Sequence, residues 1–369
     1  MSWDSPPQPR EYLEGLPRYA AGREPEGLEG GRSIKLSSNE SPYPLPAAMV
    51  EAMAQAARQA NRYPPDGREL ARRLAAGAGV PPEMVTLAGG SLVLLRDLLS
   101  AYAGAGGEVL YGWRSYEAYP ILVQTTGARS TRVPLRHQEL DLRGLAAAAS
   151  ASTRVVLLAN PNNPTGTVVG PEALEEFAQG LPRSCLLVLD EAYSEYADPD
   201  LGPEGIQLAR ELANVVTLRT FSKAQALAGM RVGWGVAHPD VVDVLQRVAL
   251  PFTLTAVAQA AALAALDHSE ELQAQVRETI GERDRVTTQL RLQGFPVPPS
   301  RANFVWLPLG AGSGQFLDCC ASAGIGVRRF AEDGVRVTIG TPEENDRLLE
   351  AASDFAGRPP GPAPASALG

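Results

Sequence analysis

Several signals that would have placed this chain quickly are missing. Three cysteines (Cys185, Cys319, Cys320) make no disulfide framework, and the adjacent pair Cys319-Cys320 suits neither a metal clip nor an ordinary bridge. Three scattered histidines (His137, His238, His268) argue against a zinc site. No apolar run approaches the ~20 residues that a membrane span needs. The N-terminus, MSWDSPPQPREYLEG, has no basic stretch followed by an apolar one, so no secretion signal is expected. Basic residues are the minority, 33 Lys and Arg against 42 Asp and Glu. The net charge of −9 and the lack of a basic block exclude ordinary nucleic-acid binding. These absences leave a reduced, soluble cytoplasmic protein as the expectation.

The 369 residues suit a large domain plus a smaller one, and 44% hydrophobic residues are enough for a substantial core. Residues 1–33, rich in Pro, Gly and Glu, read as a weakly ordered arm. Strand and helix then alternate. Strands are expected at the start of 34–46 and at 85–88, 108–111, 154–159, 185–189 and 215–218. Helices are expected at 46–61, 68–77 and 171–180, and in the Leu-rich run after Ser91. The strand runs are apolar on both faces, as in a parallel sheet covered by helices on each side. A long helical region, 256–293, should lead into a second body with strands at 303–307 and 334–339 and a helix at 314–323. The expected fold is α/β, with a large domain at 34–255, a bridging helix and small α+β domain at 256–356, and a disordered tail at 357–369. Residues 34–50 are able to pack with the small domain.

In open α/β sheets, ligands bind beyond the carboxyl ends of the strands. Three of the expected strands end in chemistry: one in Asn163, one in Asp190 and one in Lys223. A fourth ends in Gly89-Gly90-Ser91 and opens a helix, whose free N–H groups form an anion site. Lys223 is flanked by Thr220 and Ser222, and Arg231 follows eight residues on. One amine between two hydroxyls, with a guanidinium returning to the same point, suits an amine that bonds to a carbonyl beside a bound phosphate. Taken singly, these motifs are a turn, a helix cap or a surface charge. Their joint order at successive strand ends is what points to a site.

With those residues in place, the chain resembles the fold-type I pyridoxal-phosphate aminotransferases from about Leu36 to Leu349. NPNNPTG (160–166), DEAYSEY (190–196) and RTFSKA-x-x-LAG-x-R-x-G (219–233) occur in the family's order. Within that family it is similar to the histidinol-phosphate aminotransferase group, and most to its actinobacterial aromatic branch. The segments GWRSYEAYP (112–120), PFTLTAVAQAA (251–261), PPSRANFVWLPLG (298–310) and DGVRVTIGTPEEND (333–346) carry this likeness.

The resemblance implies pyridoxal 5′-phosphate as cofactor and ping-pong transfer of an amino group between an L-amino acid, aromatic in the leading reading, and a 2-oxo acid. It implies that Lys223 bonds covalently to the cofactor and shuttles the proton. Asp190 would pair with the pyridine nitrogen, Asn163 and Tyr193 would bond the phenolic oxygen, and Tyr116 would stack on the ring. Gly90, Ser91, Thr220, Ser222 and Arg231 would hold the phosphate. Tyr63 would reach the cofactor of a partner subunit, which implies a homodimer. Arg336 would grip the substrate carboxylate, with Arg328, Asn303 and Asn39 around it. In histidinol-phosphate enzymes the matching arginines also hold a phosphate, so that activity stays as the alternative, followed by a specialised-metabolism transaminase and then a pyridoxal-phosphate decarboxylase or lyase. Gln225, where the family carries an aromatic, and the Gly-less SPYPLP loop depart from the pattern. Both bear on substrate rather than on cofactor.

Overall fold

The computed structural model describes residues 7–19, 22, 33–198 and 205–357. The N-terminal-arm expectation for 1–6, 20–21 and 23–32 and the tail expectation for 358–369 therefore lie outside the described residues. Among the described residues there are twelve strands: β1 (Ile34–Lys35), β2 (Val85–Ala88), β3 (Glu108–Trp113), β4 (Arg129–Pro134), β5 (Thr153–Ala159), β6 (Leu186–Asp190), β7 (Val215–Thr220), β8 (Gly233–Val236), β9 (Phe304–Leu307), β10 (Ile325–Gly326), β11 (Arg328–Phe330) and β12 (Gly334–Thr338).

Seven of them form the main sheet in the order β2-β8-β7-β6-β5-β3-β4. The pairings β3–β4, β3–β5, β5–β6 and β6–β7 are parallel, and β8 runs antiparallel to both neighbours. The central strands are mostly buried: β6 has no residue facing solvent, and in β5 only Arg154, near its start, is exposed. Their Val and Leu side chains feed two apolar clusters, one on each face. This is the covered parallel sheet that continuous apolar runs call for. The carboxyl ends of β5, β6 and β7 therefore emerge side by side, in register from Ala159 to Asp190 to Leu218.

A second, smaller body has the antiparallel sheet β11-β12-β9, and its own apolar cluster contains Val305, Phe316, Val335 and Leu348. β1 pairs with β10 in parallel, so residues 34 and 35 join this smaller body. The helix Pro342–Ala356 closes it, opened by proline at its first turn and a Thr341/Glu344 capping box.

The expected single helical region 256–293 is two helices, Ala256–Asp267 and Ser269–Leu292, broken at His268. The first is Ala-rich and packs within the main core. The second carries Val286 and Leu290 into the small-body core. The break follows from this division of packing, since neither Gly nor Pro marks it.

β4 and β8 were not expected as strands. β4, RSTRVP, is a polar edge strand. β8 is interrupted by Gly233 and Gly235. A Cβ on Gly233 would lie 2.0 Å from the Ser91 nitrogen, and one on Gly235 would lie 2.8 Å from the Thr217 carbonyl oxygen. The glycines that read as loop are what let this strand pass so close to its neighbours.

Candidate active site

The strand ends converge on a cavity of about 220 Å³ lined by residues from both bodies. Lys223 follows β7, and its Nζ donates to the Asn39 carbonyl (2.9 Å) and the Ser38 carbonyl (3.3 Å). Burial first, then the nearby Arg336 and Arg231 guanidiniums, bring its ammonium down to about 7, although Glu40 and Asp190 oppose the shift. An amine at that value is available as a nucleophile or a base near neutrality.

Asp190 ends β6 and is buried. Its Oδ2 accepts from the Tyr119 hydroxyl at 2.8 Å, whereas its Oδ1 is buried with no partner. Burial pushes its carboxyl above the usual range, against the Tyr119 bond, the nearby Ala192 amide and the Lys223 charge. A buried orphan acceptor is costly unless something completes it.

The Tyr193 hydroxyl accepts from Asn39 Nδ2 (2.9 Å) and Asn163 Nδ2 (3.4 Å), and burial pushes it up to about 12. Tyr116 lies edge-on to Tyr119 at 5.7 Å between ring centres, and its hydroxyl is raised by burial.

Opposite this group lies an anion cradle. Gly90, at φ +106°, precedes the helix Ser91–Tyr102, which offers its free N–H groups. A Cβ on Gly90 would sit 2.6 Å from Arg231 Nη2, so glycine is what allows the guanidinium to reach this loop. Arg231 Nη1 donates to Ser222 Oγ (3.1 Å) and to the Ala228 carbonyl (3.0 Å). Thr220 Oγ1 accepts from the Ser222 amide at 3.0 Å.

Arg336, on β12, closes the other end. It is buried, donating through Nη1 to Asn163 Oδ1 (2.7 Å) and through Nη2 to the Ser37 carbonyl (2.8 Å). Its Nε is buried and unpartnered. Arg328 lies directly across from it on β11 and is bound to Glu117.

The cavity thus gathers Asn39, Ser91, Tyr116, Asn163, Asp190, Tyr193, Thr220, Ser222, Lys223, Arg231, Arg328 and Arg336. Asn303 stands behind it: its Nδ2 donates to the same Asn39 carbonyl that Lys223 uses, at 3.1 Å, and its Oδ1 is buried without a partner. Tyr63 lies elsewhere, 79% exposed and stacked on Phe252. Gln225 bonds Glu195 (3.3 Å) and is not among the cavity-lining residues. Gln225, two residues from Lys223, is therefore not part of this cavity's wall. Larger surface clefts, of about 920 and 770 Å³, gather no comparable set of ionisable groups around a lysine.

Three participants escaped the sequence reading. Tyr119, Glu117 and Tyr19 all line the cavity. Tyr119 had a legible signal in its place within GWRSYEAYP, three residues after Tyr116; Tyr116 itself lies just before the helix Ala118–Thr125, which holds Tyr119. Glu117 and Tyr19 had none, because their partners are distant in sequence.

The donor set fits pyridoxal 5′-phosphate. The orphan Asp190 Oδ1 suits a protonated ring nitrogen, the Gly90–Ser91 cradle with Arg231 suits a phosphate, and Asn163 with Tyr193 suits a phenolic oxygen.

Residues 32–351 match the family described as aminotransferase class I and II. The chain is 48% identical over 360 residues to the aromatic amino acid aminotransferase of Thermobifida fusca (strain YX), covering 97% of this chain and 100% of that one. It is 45% identical to the protein of the same name from Mycobacterium tuberculosis (strain H37Ra), over 93% and 97% of the two chains. Among solved structures it is similar to the histidinol-phosphate aminotransferase of Sinorhizobium meliloti in complex with pyridoxal 5′-phosphate. That match has a TM-score of 0.87 and 29% identity, with 96% of this chain and 99% of that chain covered.

Proposed function

This chain belongs to the class I and II aminotransferases, and on that premise we propose that it is a pyridoxal 5′-phosphate-dependent transaminase. It transfers an amino group between an aromatic L-amino acid and a 2-oxo acid such as 2-oxoglutarate. The observation that carries the reading is Lys223, an amine brought to about 7, in one cavity with a buried carboxylate whose Oδ1 has no partner.

When bound, the cofactor supplies the carbonyl that exchanges with the amino group and the electron-poor ring that takes up the electron pair of the broken Cα–H bond. Asp190 Oδ1 holds the proton on the ring nitrogen, with Tyr119 fixing the carboxylate's orientation. Asn163 and Tyr193 would hold the phenolic oxygen, and Tyr116 would supply an aromatic face to the ring. Ser91, Thr220, Ser222 and Arg231 anchor the phosphate, with the bidentate guanidinium suited to the dianion. Lys223 accepts the Cα proton and returns it on the carbonyl side, a task its lowered basicity suits. Arg336 offers its unpartnered Nε to the substrate carboxylate and so orients the Cα–H bond.

The aromatic substrate class follows the names of the similar proteins. Turnover of L-phenylalanine with 2-oxoglutarate, measured beside histidinol phosphate, tests it; faster turnover of histidinol phosphate overturns it. That second reading is favoured by the facing pair Arg328 and Arg336.

The working unit is a homodimer. Tyr63 and Phe252 (58% exposed) stack on the surface beside a cleft lined by Pro64, Leu250 and Thr253, an apolar patch suited to a second copy. Light scattering that gives a monomer at working concentration would reject this. The cytoplasm is the proposed compartment, with Cys185, Cys319 and Cys320 free and buried. No helix among the described residues is long and apolar enough to cross a membrane.

A further inference from the structure

Arg328 and Arg336 are register partners on the antiparallel strands β11 and β12. Both side chains therefore project from one face of the hairpin, and both line the cavity. Like charges placed directly opposite repel, and the Arg328 charge contributes to lowering the basicity of Arg336. Each guanidinium also lies over the Phe330 ring, Arg328 at 5.9 Å and Arg336 at 5.5 Å from its centre. Left alone, such a pair would be a site for two negative charges.

It is not left alone. Glu117, which directly precedes the helix Ala118–Thr125 of the main body, reaches across to the small body. Its Oε2 accepts from Arg328 Nη2 at 2.7 Å and Nε at 3.1 Å. Among the described residues Arg336 has no carboxylate of its own: its partners are neutral, the Asn163 side-chain oxygen and the Ser37 carbonyl, and its Nε is unpartnered. The two-arginine face therefore carries one positive charge in excess, and that charge is on Arg336.

We propose that Glu117, by occupying Arg328, sets this anion subsite to take a singly charged carboxylate and to reject a phosphate dianion. This rests on the transaminase reading and deepens it. An amino-acid carboxylate matches Arg336, which among the described residues of this pair has no carboxylate partner. A phosphate monoester in the same place needs both arginines, must displace Glu117, and then leaves two anions side by side. Glu117 is thus a specificity-determining residue that touches the substrate's anion through Arg328 rather than directly.

The test uses the cofactor-loaded enzyme and its Glu117→Gln and Glu117→Asp variants. Gln keeps the length and a hydrogen-bonding oxygen but loses the charge; Asp keeps the charge. Each is assayed by the half-reaction with L-phenylalanine and with histidinol phosphate, and by competitive inhibition with inorganic phosphate. Bound cofactor, read by absorbance, reports that the site is intact. In Glu117→Gln, kcat/KM for histidinol phosphate relative to phenylalanine should rise about tenfold or more, the factor that ~1.4 kcal/mol produces. The inhibition constant of phosphate should fall in parallel. Glu117→Asp should keep the wild-type ratio. An unchanged ratio in Glu117→Gln, or an equal loss on both substrates with cofactor retained, overturns the proposal. Failure of the wild-type enzyme to use phenylalanine would reject the aromatic reading, while tighter phosphate binding in Glu117→Gln would still uphold the role of Glu117.

Discussion

The Tyr119 hydroxyl donates to Asp190 Oδ2 at 2.8 Å, and the other carboxylate oxygen, Oδ1, is left buried and unpartnered. Tyr119 is fully buried and Asp190 nearly so, and the tyrosine is braced edge-on by Tyr111 and Tyr116. One oxygen is thus held so that the other faces the cavity. Tyr119→Phe keeps the ring packing and removes only this bond. A hydrogen bond to a charged group contributes about 1.5–3 kcal/mol. Cofactor affinity, measured by fluorescence titration of the cofactor-free protein, should weaken roughly tenfold or more. The absorbance of the bound cofactor should also titrate at a different pH. Unchanged affinity and an unchanged spectral titration would rule out a positioning role.

Lys223 gives a prediction about pH. In the cofactor-free protein its amine should titrate near 7, against an ordinary value of 10.5. Acylation of Lys223 by a small reagent, followed by mass spectrometry across pH, should show a midpoint near 7; a midpoint near 10 would contradict the burial argument. The stability consequence has a definite sign. Between the two values the unfolded chain holds a proton that the folded chain does not. For this group, stability therefore increases as pH rises from about 7 towards 10.5, and the full penalty applies below 7.

Gly233→Ala should destroy the phosphate cradle. The new Cβ would sit 2.0 Å from the Ser91 nitrogen and 2.3 Å from the Gly90 carbonyl carbon. Both are backbone atoms, so β8 or the loop must move. The expected result is loss of bound cofactor after gel filtration and a destabilisation of about 2 kcal/mol or more. Gly229→Ala, where nothing lies within 4 Å, is the matched control and should retain cofactor.

Glu191 was legible as part of DEAYSEY but not in its role. It is fully buried, with Oε2 held by Arg219 at 2.8 Å and Oε1 by the Gly205 amide at 2.8 Å. Arg219→Met leaves that charge unpaired and should cost about 3 kcal/mol. The reading is a shift in the urea midpoint without a change in slope. Adding Glu191→Gln, which removes the charge, should recover part of the loss. If the double variant is no better than Arg219→Met, the pair is not the cause.

These cases show where the sequence was readable. Lys223, Asp190 and Asn163 were legible because apolar strands run straight into them and place them at neighbouring carboxyl ends. Gly90 was legible in the Gly-Gly-Ser turn between a strand and a helix, and Arg231 by its place eight residues after Lys223. The break at His268 and the strand β8 were not, because packing decides both: the two helices on either side of the break serve different cores, and two glycines allow a close approach. The contact between Glu117 and Arg328 was hidden for a different reason. They are 211 residues apart and meet only when the two bodies come together. Local patterns do not carry such a contact.

Arg336 joins the two bodies and the two halves of the chemistry. Its Nη1 reaches Asn163 and its Nη2 reaches Ser37, while its Nε faces no partner. Arg336→Ala should raise KM for carboxylate substrates about 100-fold, as expected when one partner of a buried, hydrogen-bonded charge pair is removed. The change in kcat should be smaller. Arg336→Lys restores the charge but not the planar fork, so it should recover only part of the loss. A second readout is independent of substrate. The Arg336 charge is the largest electrostatic contribution lowering Lys223, after burial. Its removal should move the Lys223 acylation midpoint in the cofactor-free protein upward from about 7. An unchanged KM for glutamate would remove the clamp role, and an unmoved midpoint would show that Arg336 does not tune the lysine.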